Sequence, residues 1–112
     1  MDITIPELQA YLTDRYGSWA KETGLFMKLV EEMGEAAEVL NMRSGAKLEN
    51  GTDLQEELGK ELADIIHYAV AIAAVCNIPL NDIMLAKDEK ASLKYHHTTN
   101  LRLFHEGKKE HP

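Results

Sequence analysis

Two pairs of acidic residues carry the spacing that could do chemistry. Glu32 and Glu35 sit in LVEEMGEAAEVL, and Glu61 and Asp64 sit in LGKELADIIHYAVAI. On a helix, residues three apart lie about 60° from each other, so each pair forms a two-pronged carboxylate fork. Helical rotation places Glu32 between Leu25 and Val39, at the edge of a stripe made by Leu29, Met33, Ala36 and Leu40. Glu61 falls deeper in its own stripe, near Leu54, Ile65, Tyr68 and Ile72. Carboxylates turned toward a core are costly unless a positive partner compensates them. A divalent metal is the expected partner, and an all-oxygen ligand set favours Mg²⁺, with Mn²⁺ as a substitute, over Zn²⁺.

The elements that must position these forks are helical. The chain has 112 residues, 45% of them hydrophobic and 28% charged, which fits one globular domain. A formal net charge of -7 argues against nucleic-acid binding. The single cysteine, Cys76, lies in an apolar run and reads as a small buried hydrophobe in a reducing cytoplasm. MDITIPEL lacks the basic and apolar regions of a signal peptide, and the apolar run from Ala69 to Cys76 is too short to span a membrane. The expected location is cytoplasmic.

Thr4 and Glu7 predict a capping box for a first helix from Pro6 to Tyr16, with Leu8, Tyr11 and Leu12 inward. Trp19 follows in a turn, as core filler or, beside a cleft, as a platform for a base. A second helix is expected from Thr23 to Arg43, with Glu31 and Glu38 on its solvated side. Ser44 to Thr52 reads as a loop, after which Asp53 and Glu56 predict another capping box. The third helix, from Leu54 to Asn77, is nearly apolar all round beyond Asp64, which implies that a second copy of the chain covers part of it. His67 reads as a hydrogen-bonded interface histidine. A fourth helix, Leu80 to Tyr95, should pack Ile83, Met84 and Leu85 and carry Lys87, Lys90 and Lys94 along one side. Residues 1–95 form the expected domain and 96–112 a polar, loosely held tail.

The string Lys28-Leu29-Val30-Glu31-Glu32-Met33-Gly34-Glu35, followed by Glu61-Leu62-Ala63-Asp64 and Tyr68, resembles the MazG-like family of all-α nucleoside triphosphate pyrophosphohydrolases. The resemblance runs from Trp19 to Tyr95. It implies a four-helix-bundle-like core completed by dimerisation, as a homodimer or a dimer of dimers. It also implies Mg²⁺-dependent hydrolysis of (deoxy)nucleoside triphosphates to monophosphate and pyrophosphate, as in nucleotide-pool cleansing. Glu32, Glu35, Glu61 and Asp64 would then be the metal-binding and catalytic set, with Glu32 as the base. Lys28, Lys87 and Lys94, and more weakly Lys90, would contact phosphates, while Trp19 and Tyr68 would line the base pocket.

The last bundle helix departs from that family's K-x-x-x-N-x-x-R-Y pattern. Ala91 stands in place of Asn and Lys94 in place of Arg, which removes a polar contact and a bidentate fork. Ala91 keeps open one alternative, a catalytically weakened helical dimer that binds nucleotide or a protein partner; a second, from the same superfamily, is an enzyme resembling phosphoribosyl-ATP pyrophosphohydrolase.

Overall fold

A computed structural model describes residues 1–45 and 53–110, the side chains of 108–110 excepted. It is all-helical: α1 (Ile5–Tyr16), α2 (Glu22–Arg43), α3 (Leu54–Val75), α4 (Leu80–Lys94) and α5 (Leu101–Glu110), with no strand among the described residues. Most of the expected loop, residues 46–52, lies outside the described residues. No single helix among those described is long and apolar enough to cross a membrane. The chain divides into two compact units, Met1–Ile78 and Pro79–Pro112.

In the first unit, α3 is packed by both α1 and α2. Helix α1 starts at the expected capping box, in which Thr4 Oγ1 accepts from the Glu7 amide and Glu7 Oε1 accepts from the Thr4 amide. Its inward row is Ile5, Leu8, Leu12 and Tyr16, at the heptad-like spacing of a helix seam. Tyr11 is exposed, contrary to the sequence expectation, because it lies about 100° round the helix from Leu12. Gln9 Nε2 donates to the Ile78 carbonyl at 2.6 Å and so ties α1 to the end of α3.

Helices α2 and α3 run antiparallel. Arg43 meets Gln55 near one end, and Cys76 meets Glu22 near the other. Their shared core is small-sided, built from Leu25, Ala36, Val39, Leu54, Val70 and Ala73, which allows close approach of the two backbones. Asp53 Oδ1 caps α3 by accepting from the amides of both Gln55 and Glu56. The second half of the expected capping box does not form; the Glu56 carboxylate is 3.9 Å from Lys60 Nζ instead. Cys76 is half-buried rather than buried, and its thiol donates to Glu22 Oε2 at 2.7 Å. Asn77 closes α3 at φ 55 in a Schellman arrangement, with the Ile78 amide on Ala73 O and the Asn77 amide on Ala74 O.

In the second unit, α4 ends the same way. His96 takes φ 58, and the His97 amide bonds to Ser92 O. Ile83 and Met84 of α4 are exposed, and Leu85 is half-buried. The expected tail contains α5. Asp88 Oδ2 accepts from the Leu101 amide at 2.6 Å, Asn100 Oδ1 accepts from the Leu103 amide, and Arg102 pairs with Glu89 at 3.7 Å. Acidic side chains of α4 therefore hold the amino terminus of α5, where the helix dipole favours negative charge.

Candidate functional site

Glu32 on α2 meets Glu61 and Asp64 on α3 at the seam between the two helices. One carboxylate oxygen from each lies within 4.8 Å of the others. Glu32 Oε2 and Glu61 Oε2 are buried and have no hydrogen-bond donor. Orphaned buried acceptors of this kind cost free energy that a plain structural carboxylate would not carry. Burial is the largest cause of a rise in the Glu32 pKa to about 7, followed by the carboxyls of Glu61 and Glu35 and the charge of Asp64. Glu61 is raised as well, again by burial first. These residues suit a hard divalent cation. The donors are all oxygens, two of them lack any other partner, and a cation would relieve the repulsion that holds protons on the site.

Glu35, the fourth expected carboxylate, is exposed and is not one of the three whose oxygens converge, yet its carboxyl is close enough to help raise both Glu32 and Glu61. It borders a shallow hollow with Gly34, Glu38 and Glu61. Glu31 belongs to the solvated side as expected, paired with Lys28 at 3.3 Å.

A cavity of about 400 Å³ lies in the same unit, lined by Arg15, Tyr16, Trp19, Ala20, Lys21, Gly24, Leu25, Lys28 and Tyr68. Lys28 lies one turn before Glu32 and Tyr68 one turn after Asp64, so on antiparallel helices both residues extend the seam in the same direction. Three of the expected substrate-binding residues, Trp19, Lys28 and Tyr68, therefore share one cavity. Lys87, Lys90 and Lys94 are exposed on α4 in the second unit, with Lys94 Nζ 5.3 Å from the Tyr95 ring centroid.

Trp19 is not core filler. It is 69% exposed and forms a wall of the cavity. Its indole N–H donates to the Arg15 carbonyl at 2.8 Å, and its ring sits 5.6 Å from that of Tyr16. Gly17 makes this corner possible, because a Cβ there would lie 2.5 Å from the Thr13 carbonyl oxygen. Tyr16 Oη and His67 Nε2 are 2.8 Å apart, which links the cavity wall to the face of α3 that carries Asp64. The pKa of His67 is lowered by burial and then by Arg15, against the opposing pull of Asp64. Arg15, Tyr16 and Lys21 were not expected at the site; only the inward heptad position of Tyr16 hinted at it.

A carboxylate trio and an aromatic, cation-lined cavity, on an all-helical frame, define the class: an all-helical protein with a candidate hard-cation site and a candidate ligand cavity. The chain belongs to the family of the Bacillus subtilis (strain 168) protein named "Uncharacterized protein YpjD". The two are 30% identical over 86 residues, covering 72% of this chain and 77% of that protein. No protein-family model matches the chain, and no solved structure matches it.

Proposed function

We propose that the protein is a Mg²⁺-dependent pyrophosphohydrolase of (deoxy)nucleoside triphosphates, of the MazG-like type. The observation that carries this reading is the carboxylate trio with its two orphaned oxygens, set one helical turn from an aromatic cavity. Glu32, Glu61 and Asp64 hold the cation. When bound, it neutralises phosphate charge and supports attack at phosphorus. Trp19, Tyr16 and Tyr68 enclose the base, and Lys28, on the same helix face as Glu32, meets the phosphates.

Water adds its oxygen to the α-phosphorus, and the bond from that phosphorus to the α–β bridging oxygen breaks, leaving monophosphate and pyrophosphate. Glu35, which is not one of the three converging carboxylates, takes the proton from that water in place of Glu32. Pyrophosphate release from a panel of canonical and modified (d)NTPs, with Mg²⁺, Mn²⁺ or EDTA, tests the reading. Metal-dependent release matched by monophosphate is expected. A folded, metal-binding protein that releases none would leave a binding role.

The same reading places a second copy of the chain on α2 and α3. Phe26, Val30, Met33 and Leu40 follow one residue behind the row of α2 that faces α3, and Leu62 and Ile66 do the same on α3. On an antiparallel pair both rows emerge on one side, and all six are exposed, Ile66 at 52%. An unpartnered apolar stripe of this length is an interface pattern. Ile66→Glu should weaken self-association at least tenfold with helical content unchanged. Sedimentation equilibrium reads this directly, and a wild-type protein at 12.6 kDa under micromolar conditions would refute it.

A further inference from the structure

We infer that Arg15 is the specificity-determining residue of the cavity, selecting planar bases that present a carbonyl acceptor over those that present an amino donor. The inference rests on the nucleotide reading proposed above. It follows from an inventory of what the cavity can offer a ligand. Its charged lining groups are Arg15, Lys21 and Lys28, and no carboxylate is among the described residues that line it. The indole N–H of Trp19 is spent on the Arg15 carbonyl, and the Tyr16 hydroxyl is engaged with His67. Apart from the Tyr68 hydroxyl, which can donate or accept, the side-chain polar groups left for a ligand are cationic donors, which repel an exocyclic amino group and attract a carbonyl oxygen or ring nitrogen.

The three cations are not equivalent. Lys28 is held by Glu31 at 3.3 Å and stands one turn from Glu32, on the side where a phosphate would approach the trio. Arg15 belongs to the aromatic side. Its guanidinium carbon lies 5.4 Å from the Tyr16 ring centroid, and Nη1 donates to Tyr11 Oη at 3.5 Å. Arg15 therefore borders the rings on which a base would stack, and its planar fork can give two parallel hydrogen bonds to one base edge. Guanine offers O6 and N7 to such a fork, whereas adenine puts an amino group at the O6 position. Among pyrimidines the same contrast separates the O4 of uracil from the N4 amino group of cytosine. A cavity of about 400 Å³ falls within the usual range for small-molecule sites, roughly 300–1,000 Å³.

The test uses paired nucleoside monophosphates on the full chain without metal, so catalysis plays no part. Trp19 is the single tryptophan and lines the cavity, so its fluorescence reports occupancy. GMP should bind about tenfold or more tighter than AMP, and UMP should exceed CMP by a similar factor. Pairing within purines and within pyrimidines removes differences in stacking strength. Arg15→Gln, at an exposed position, should keep binding but bring each pair within about twofold. Arg15→Lys should retain only part of the preference, because a point charge replaces the fork. Binding with equal affinities within pairs, or a preference that survives Arg15→Gln, would overturn the role of Arg15 while leaving the nucleotide reading intact. Failure of every monophosphate to perturb Trp19 would overturn both.

Discussion

Glu61→Gln is expected to lower metal-dependent turnover by about a thousandfold or more, the scale set by losing a charge-stabilising group at the reacting centre. The substitution keeps the shape of the side chain and removes one of the three converging charges. It also introduces an amide N–H₂ beside Glu32 Oε2, an oxygen that is buried and without a donor in the native chain. Activity and stability should therefore move in opposite directions. Turnover collapses, while the thermal midpoint measured in EDTA above pH 7, where Glu32 is ionised, rises, because a buried repulsive contact becomes a hydrogen bond. A carboxylate kept for structural reasons would behave otherwise, and its replacement would lower the midpoint. Retention of turnover within tenfold, in protein whose helical signal matches wild type, would remove Glu61 from the site. Glu35→Gln offers a contrast: lying outside the trio, it should reduce turnover with much less effect on metal affinity.

Much of this frame could be read from local sequence, because helix starts and stripes are local properties. Thr4 with Glu7 and the Asp53 cap mark helix starts, and Leu12 marks the inward face of α1; on α2 the expected stripe is rotated, with Met33 and Leu40 exposed and Leu25, Ala36 and Val39 buried. The two forks were legible for the same reason, each being a spacing within one helix. Which three of the four carboxylates converge was not legible. That depends on the rotation of α2 against α3, which brings Glu32 in and leaves Glu35 exposed. For Trp19 the local sequence left two readings open, core filler or cleft wall, and the second holds: the ring is 69% exposed and lines the cavity, with its indole N–H on the Arg15 carbonyl. Helix α5 was missed because its amino terminus is held by Asp88 and Glu89 of another helix, a contact that no window around residues 96–112 contains. Arg15 carried no signal as a single basic residue. Its place beside Tyr16 and Trp19 exists only once Gly17 has turned the chain.

Lowering the pH from 7 to 5 should weaken Mg²⁺ or Mn²⁺ binding by about a hundredfold, roughly tenfold per pH unit for each proton the ion must displace. Without metal, Glu32 is pushed up to about 7, by burial first, so a cation entering below that pH competes with a proton. The same shift fixes how metal-free stability depends on pH. Native Glu32 keeps its proton up to about 7, whereas its ordinary value is 4.5, so between these limits the native state holds more protons than the unfolded chain. Rising pH is then destabilising: the contribution is fully present below 4.5 and is lost as the pH passes through about 7. Glu61, also raised, acts in the same sense. His67 opposes them. Burial and Arg15 hold it below its ordinary 6.5, so its contribution is present above 6.5 and is lost on acidification. Replacing His67 by Asn isolates the carboxylates. In EDTA that variant should lose thermal stability steadily between pH 5 and 8, and adding Glu32→Gln should flatten most of the slope. Saturating metal should reverse it, because the ion holds the carboxylates ionised. Metal affinity that is equal at pH 5 and pH 7, or a His67→Asn protein in EDTA more stable at pH 8 than at pH 5, would mean that Glu32 and Glu61 hold no proton for a cation to displace. The cation site would then have to be sought elsewhere in the chain.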